Sequence, residues 1–270
     1  MNWRRILELA LFDLRWSLLR RKGLIYILPF ALFWYLVLKR FYEGAANLLQ
    51  SSDFLMLAST RFDMEMLSHL FVELPPSMSA YFILALYTTP FFTMLAANDM
   101  YATDLGNGYF RFLITRCQRG EMFLARSLGC LMLITGCLIL CGATATLIAT
   151  FIENYPATLT LSYFFRITSI LILYSIPFIA AMAILSSLLN SAIAVMLLAC
   201  VGYVVALIGI YSAEAAFKEP VMYFYLLPSG VKKDLISMNN ADLWIAIAAL
   251  PAYTLIYGWA AWAVFRRRNL

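Results

Sequence analysis

Charged residues are scarce in this sequence. Asp, Glu, Lys and Arg make up 13% of its 270 residues, whereas 63% are hydrophobic. A soluble domain typically carries about 25% charged residues. The mean hydropathy of +0.81 points in the same direction. The composition therefore excludes an ordinary soluble domain and predicts a membrane protein.

Ionisable groups are missing from the interiors of the long apolar runs, which contain no Asp, Glu, Lys or His. The only histidine, His69, lies in a predicted loop, and Arg166 lies near the end of a run. Intramembrane enzymes and ion-driven transporters place such groups within their spans, at a cost of about 2.5–3.5 kcal/mol each. We therefore expect no metal site, no His-based catalytic group and no carboxylate proton relay.

A nucleotide site is also missing. The phosphate-binding loop has the pattern G-x-x-x-x-G-K-[ST], because backbone amides and the lysine together cradle the phosphates. None of the five lysines is followed by Ser or Thr. We expect no cofactor and no enzymatic activity on this chain, so the energy for any uphill transport must come from a separate protein.

The sequence contains five cysteines, most of them within apolar runs. An odd number in such positions does not indicate a disulfide framework. Cys130, Cys137 and Cys141 share one face of a predicted span. The favoured interpretation is that they are small packing residues. The alternative is a route for a soft metal ion.

Six apolar stretches reach the roughly 20 residues that a helix needs to cross a bilayer. They lie at about 23–42, 78–98, 126–152, 163–189, 192–213 and 243–265. The first follows a charged leader and precedes no small-residue cleavage site, so we expect a retained span and not a signal peptide. Four spans contain a proline (Pro29, Pro90, Pro177 and Pro251), and kinks are expected there. The whole chain, 1–270, is predicted to be one transmembrane domain.

The distribution of charge predicts the orientation. With six spans, both termini and the second and fourth loops share one side of the membrane. That side holds 13 of the 20 basic residues, six in the leader, four in the second loop and three at the C-terminus, against five acids. The other side holds 7 basic and 10 acidic residues. By the positive-inside rule, both termini are cytoplasmic.

The leader, 1–22, is predicted to form an amphipathic helix in the cytoplasmic interface, with its basic residues near anionic head groups. One helical face carries Trp3, Ile6, Leu7, Ala10, Leu14 and Leu18. A second, narrower stripe of Phe12, Trp16 and Leu19 points away from the first. The leader is either a plain membrane-surface anchor or, through this second stripe, a contact for a partner.

The second loop, 99–125, is the only substantial predicted cytoplasmic segment between spans. Asn107 and Gly108 supply a turn, and the aromatic run around Arg111 indicates a short amphipathic helix. A second helix that begins near Gly120 is expected to continue into the third span. The alternative is an arginine cluster that only sets the topology and lies on lipid head groups.

At this point the chain resembles the membrane-spanning subunits of type-2 ABC exporters, over essentially its full length. The likeness comprises the amphipathic leader, six spans, the large second loop and a broad outer loop before the sixth span. After their second span these subunits carry an acidic residue, a glycine, a Ser-Pro-x-x-Arg-like turn and a later basic residue. The segment "DLGNGYFRFLITRCQRGEMFLAR" matches this pattern through Asp104, Gly108, Thr115, Arg119 and Arg126, and departs from it at Arg116, where the family often has proline.

The resemblance implies an all-α permease whose second loop contains a coupling helix that fits a groove of a separate ATP-binding subunit. The implied coupling residues are Asp104, Gly108, Tyr109, Phe110, Arg111, Thr115, Arg116, Arg119, Glu121 and Arg126. Two permease copies and two ATPase subunits would form the transporter, with ATP and Mg on the partner subunit. The implied location is the bacterial inner membrane, and no nucleic-acid partner is expected.

The resemblance also implies that the second and fifth spans line the substrate path at the dimer interface. The candidate lining residues are Tyr81, Tyr87, Thr88, Thr89, Thr93, Tyr203 and Tyr211, all uncharged. Stripes of small residues, Gly202, Ala206, Gly209 and Ala213 in the fifth span and Gly129, Gly136 and Ala143 in the third, permit close helix packing. Aromatic side chains of the interfacial belt are the alternative interpretation of any single tyrosine.

Two outer loops are longer than a connection requires. The first, 43–77, contains Phe62, Met66, Leu70 and Phe71 at helical spacing and is a candidate cover of the exit or contact for a periplasmic partner. The second, 214–242, contains "VMYFYLLPSG", which is apolar but broken by Pro228 and Gly230. It is expected to enter the outer leaflet as a re-entrant hairpin.

The sequence therefore predicts the permease subunit of an ATP-driven exporter. The alternative is a non-transporting membrane scaffold or assembly factor that binds a cytoplasmic partner. The residues do not identify the transported substrate.

Overall fold

The computed structural model describes residues 2–19, 21–49, 74–217, 225–237 and 240–268, and this part of the chain is helical without any strand. The helices are α1 (Trp3–Leu19), α2 (Arg21–Leu49), α3 (Pro76–Ala97), α4 (Ala102–Gly106), α5 (Phe110–Ile114), α6 (Arg119–Phe151), α7 (Ala157–Leu188), α8 (Ala192–Phe217), α9 (Lys232–Ser237) and α10 (Asn240–Arg267). A 3-10 turn at Pro228–Val231 precedes α9. The prediction of an all-α fold is confirmed.

Five helical segments of the described part are long and apolar enough to cross a membrane. They are Pro76–Gly106, Arg119–Phe151, Ala157–Leu188, Ala192–Ile210 and Leu243–Arg267. The chain is thus a multi-pass membrane protein. These segments cover the last five predicted spans. The first predicted span, 23–42, lies within α2, and a total of six spans stays a prediction.

Helix α7 lies at the centre of the bundle and packs against α10, α6, α3 and α8. Helices α6 and α7 approach closely at Gly142, where an added Cβ would lie 2.9 Å from the ring of Phe164. In α3, Tyr81 is fully buried, and its hydroxyl donates a hydrogen bond to the Leu138 carbonyl of α6 at 2.8 Å. The core is therefore built from long apolar helices, and hydrogen bonds such as that of Tyr81 join one helix to another.

A carboxylate from the α6–α7 turn caps the start of α3. The backbone N–H of Ser77 donates to Glu153 Oε1 at 3.0 Å, and the Ser77 hydroxyl donates to Oε2 at 3.2 Å. The first N–H groups of a helix have no partner within the helix, so a remote acceptor stabilises this end. Glu153 thus joins two connections at one end of the bundle.

The opposite end carries α1, residues 98–118, the short connection 189–191 and the C-terminal residues 266–268. We call it the basic end, because these segments hold most of the arginines. Helix α1 corresponds to the predicted leader helix and packs along α6. Helix α6 begins at Arg119 and continues through the third predicted span, as expected from the sequence.

Candidate functional site at the basic end

Arg126 joins three segments at the basic end. Its Nε lies 3.1 Å from Asp13 Oδ2 of α1, and its second guanidinium nitrogen forms an ion pair with Asp104 Oδ2 of α4. All three side chains are largely buried. A guanidinium can serve two carboxylates at once because its donors form a planar fork. The arginine therefore fixes the leader and the loop to the start of the third predicted span.

The electrostatics of this junction are unbalanced, with two carboxylates facing one guanidinium. Burial raises the pKa of Asp13 from its ordinary value of 3.8 to about 6, an effect that Arg126 opposes and Asp104 reinforces. Two carboxylates thus share one guanidinium, which supplies the positive charge of the group. The ion pairs with Arg126 are consequently the interactions that keep the two acids together.

Glu121 makes a second tie between the leader and α6. Its Oε1 accepts a hydrogen bond from the backbone N–H of Asn2 at 2.8 Å, and its Oε2 accepts one from the backbone N–H of Gln118 at 3.3 Å. The bond to Gln118 is half of a capping box at the start of α6. Glu121 is buried, so it acts inside the protein at this position.

Close helix packing holds α1 against α6. A Cβ on Gly129 would lie 3.2 Å from the Ala10 carbonyl oxygen, so only glycine permits this approach without a shift. Ile6 and Ala10 are buried in this contact, whereas Trp3 is 65% exposed and Phe12 also faces outward. The predicted apolar face is thus divided between α6 and the surroundings. The side chain of Trp16 lies outside the described residues.

The loop between α3 and α6 folds over an aromatic cluster. Gly108 makes the predicted turn with a φ of 67°, which favours glycine. Phe110 of α5 is only 1% exposed and contacts Phe265 of α10, with ring centroids 5.8 Å apart. Tyr101 lies 5.0 Å from the same ring, and its hydroxyl donates to the Phe123 carbonyl at 2.9 Å. Phe110 therefore anchors the loop to the bundle.

Arg119 contacts the C-terminal segment. One of its guanidinium nitrogens donates to the carbonyl of Arg266 at 2.9 Å and lies 3.4 Å from that of Arg268. Arg268 in turn donates to the Leu188 carbonyl and to Asn190 Oδ1. The same connection meets the loop, because a Cβ on Gly106 would lie 2.6 Å from the Asn190 carbonyl oxygen. The loop, the short connection and the C-terminus form one packed layer.

The ten predicted coupling residues thus divide into two sets. Five act within the protein: Asp104, Phe110, Arg119, Glu121 and Arg126. Gly108 shapes the turn between them. The remaining four lie at the surface, namely Tyr109, Arg111, Thr115 and Arg116, and Phe112 beside them is 74% exposed. We call Tyr109, Arg111, Phe112, Thr115 and Arg116 the loop face.

Sequence reasoning missed several residues of this layer. Asp13 was counted among the acids but was given no role, yet it lies one helical turn beyond Ala10 and two turns beyond Ile6 on the same side of α1. An acid on an apolar helical stripe is a signal that a cation faces it. No comparable signal marks Asn2 or Tyr101, because their contacts join segments far apart in the chain.

The candidate path residues lie in different environments. Thr88 and Thr89 donate to the carbonyls of Leu84 and Ala85 in their own helix at 2.7 and 2.6 Å. Both also line a cavity of about 10 Å³ between α2, α3 and α6, which is too small for a substrate. Thr93 is buried without a hydrogen-bond partner among the described residues.

The tyrosines of the candidate path also differ from one another. Tyr87 is 45% exposed and Tyr203 is partly buried, whereas Tyr81 is held in the core. The side chain of Tyr211 lies outside the described residues. Tyr87 combines a position midway along α3 with a side chain that is partly exposed.

Within the described residues, no group of three His, Cys, Asp or Glu side chains could hold a metal ion. Cys130, Cys137 and Cys141 are free thiols. His69 and the predicted helix around Met66 lie outside the described residues. Comparison of the chain with protein-family models and with curated proteins finds no match.

Proposed function

We propose that the chain is the permease subunit of an ATP-driven exporter of the type-2 ABC class, working as a dimer with two copies of a separate ATP-binding subunit. The observation that carries this proposal is the construction of the basic end. Asp13, Asp104 and Arg126 form a junction that holds the leader, the loop and α6 together. Such a connection would let an ATP-binding subunit, docked at the basic end, transmit its movement to α6.

The loop face supplies the contact with the ATPase. It combines two arginines with the exposed rings of Tyr109 and Phe112. Aromatic residues and arginine dominate the binding energy of protein interfaces. The complementary surface is a groove with an apolar pocket for Phe112 and acidic groups at its rim. Lipid head groups alone would not require Phe110 to anchor the loop from below.

The substrate path lies between two copies of the chain. Within one copy, the cavity beside Thr88 and Thr89 is of about 10 Å³. Helix α8 exposes a broad apolar face, and an added Cβ at Gly202 or Gly209 would meet nothing within 4 Å. This face is open to a second copy, and small residues let two helices approach closely. The resulting interface brings the two exposed Tyr87 rings toward the path.

Co-purification from native membranes tests this function. A tagged chain should retain a partner that hydrolyses ATP, whereas the chain purified away from all partners should hydrolyse none. Replacing Arg111 and Arg116 together by Glu should lower the recovered ATPase activity by about tenfold, because both charges would then oppose an acidic rim. Arg267→Glu is the matched control, since Arg267 is exposed at the same end.

The alternatives give different results in this experiment. A tagged wild-type chain that retains a stable partner without ATPase activity would identify a membrane scaffold. ATPase recovery that is unchanged by the double reversal would refute the docking role of the loop face. Topology is checked by reporter fusions at residues 110 and 268, which should both report the cytoplasm.

A further inference from the structure

The connection between α8 and α10 folds back into the bundle. The hydroxyl of Tyr253 donates a hydrogen bond to the carbonyl of Tyr225, and Tyr253 is the fourteenth of the 28 residues of α10. Val231, Leu235 and Ile236 on the following turn and helix are fully buried. Tyr225 therefore lies level with the middle of α10, and the residues that follow it pack into the bundle.

This fold places a lysine beside the middle of α3. The ammonium of Lys232 lies 4.6 Å from the centre of the Tyr87 ring, a cation–π contact. Tyr87 is the twelfth of the 22 residues of α3. Among the described residues, no carboxylate forms an ion pair with Lys232. The neighbouring acid, Asp234, accepts a hydrogen bond from the Tyr225 hydroxyl at 2.7 Å.

A second neighbour of Tyr87 carries a buried hydroxyl. Tyr174 of α7 is fully buried, and its hydroxyl has no hydrogen-bond partner in the described part of the chain. It lies close enough to Tyr87 and Tyr203 to interact with them electrostatically. Tyr174 and Tyr203 are also mid-helix residues, the eighteenth of 32 in α7 and the twelfth of 26 in α8. A cation and an unsatisfied donor thus both neighbour Tyr87.

Such an arrangement is incomplete without a further group. A cation in apolar surroundings is normally paired, because burial of an isolated charge costs free energy. An anion beside Lys232 would supply the missing charge and could also accept a bond from Tyr174. Tyr87 is 45% exposed and belongs to an apolar helix, so the remainder of such a ligand would be apolar.

We propose that Lys232, Tyr87 and Tyr174 form a binding site for the anionic group of an amphiphilic molecule. The ligand is defined by a carboxylate or phosphate joined to an apolar chain. Two sources share this chemistry, namely an anionic lipid of the bilayer and an amphiphile taken up as substrate. Binding requires no ATPase, so the proposal stands or falls independently of the proposed export function.

Binding of a fluorescent fatty acid to the full chain tests the site. The purified chain is placed in nanodiscs of zwitterionic phosphatidylcholine and titrated with 11-(dansylamino)undecanoate or with its uncharged methyl ester. Binding is followed by energy transfer from tryptophan. The carboxylate should bind at least about tenfold more tightly than the ester, as expected for a contact with a charged group. Equal affinity of the two probes would overturn the proposal.

Two adjacent lysines provide a matched pair of variants. Lys232→Met should weaken binding of the carboxylate about tenfold, to the level of the ester, and Lys232→Arg should largely preserve it. Lys233→Met removes the same charge from an exposed neighbour and should bind like the wild type. Equal loss in both methionine variants, or none in Lys232→Met, would contradict the site. If Lys232→Met does not fold, the comparison of acid and ester on the wild-type chain decides alone.

A second arm distinguishes the two sources of ligand. The titration is repeated in nanodiscs that contain phosphatidylglycerol. Displacement of the dansyl probe from the wild type, but not from the residual sites of Lys232→Met, would identify an anionic lipid as the occupant. Unchanged probe binding would assign the site to an amphiphile other than the bilayer lipid.

Discussion

Arg126 and Lys232 are both cations that pack against other segments of the protein, and they differ in whether a carboxylate faces them. Arg126 at the basic end faces two carboxylates, Asp13 and Asp104. Lys232, which precedes α10, faces an aromatic ring and, among the described residues, no carboxylate. The first arrangement is complete within the chain, whereas the second is not. This difference separates a cation that stabilises the fold from one that is available to a ligand.

The same contrast extends to the tyrosines beside each cation. Near Arg126, the hydroxyl of Tyr101 donates to the Phe123 carbonyl at 2.9 Å. Near Tyr87, which Lys232 contacts, the hydroxyl of Tyr174 has no partner in the described part. Buried polar groups in proteins are usually satisfied, so an exception needs an explanation. A ligand would satisfy both Lys232 and Tyr174 and would account for the exception.

The largest effect is expected from Arg126→Met. The substitution leaves Asp13 and Asp104 buried without their cation, which typically destabilises a protein by about 3–5 kcal/mol. Thermal unfolding in detergent should show a clear loss of stability, together with weaker recovery of the proposed ATPase partner. Arg126→Met combined with Asp13→Asn should recover part of the stability. Unchanged thermal stability in the single variant would show that the junction does not hold the leader to α6.

A smaller effect, on pH dependence, is expected from Asp13→Asn. Burial raises the pKa of Asp13 in the folded chain to about 6, against 3.8 ordinarily, so the folded state binds the proton more tightly than the unfolded state. The resulting stabilisation is full below pH 3.8 and is lost as the pH rises through about 6. Between pH 5 and 7 the free energy of unfolding of the wild type should fall by about 1 kcal/mol, whereas Asp13→Asn should lack this decrease. If the stability of the wild type and of the variant changed in parallel with pH, Asp13 would be excluded as the titrating group.

Lys232→Met should change stability by less than about 1 kcal/mol, since it removes one cation–π contact and leaves no unpaired carboxylate behind. The comparison with Arg126→Met is therefore direct, because both variants replace a cation by methionine. Unfolding temperatures of Lys232→Met and Lys233→Met in detergent should agree within a few degrees. A loss as large as that of Arg126→Met would mean that Lys232 serves the fold and not a ligand.

The fold could be predicted from the sequence wherever a local pattern carried the information. Long apolar runs predicted the helices, and Gly108 predicted the turn in the loop. The beginning of α6 at Arg119 agrees with the helix that was predicted to begin near Gly120. These features depend on residues within a few positions of one another.

The candidate site was less predictable because its contacts join distant segments. Asn2 meets Glu121, and Arg119 meets Arg266, across more than a hundred residues. Lys232 was assigned to an outer loop, and the absence of charge within the spans indicated an uncharged path. The structure brings Lys232 to the middle of α3 from a separate connection. A count of charges within the predicted spans does not include Lys232, because this lysine belongs to the connection between two spans.

The smallest effect is expected from Tyr174→Phe. This variant tests whether the hydroxyl of Tyr174, which neighbours Tyr87, is unsatisfied, in contrast to that of Tyr101 near Arg126. In the unliganded chain the Tyr174 hydroxyl is buried without a bond, so its removal should leave stability unchanged or slightly raised. Tyr101→Phe is the matched control, because it removes a hydroxyl that donates to a buried carbonyl and should cost about 1 kcal/mol. Thermal unfolding of both variants in detergent, with and without the dansyl fatty acid, measures the difference. The fatty acid should stabilise wild type more than Tyr174→Phe, since only the wild type can donate to the bound anion.

If Tyr174→Phe were as destabilising as Tyr101→Phe without ligand, the hydroxyl would already have a partner within the protein. The contrast between a completed and an incomplete polar site would then be wrong for Tyr174.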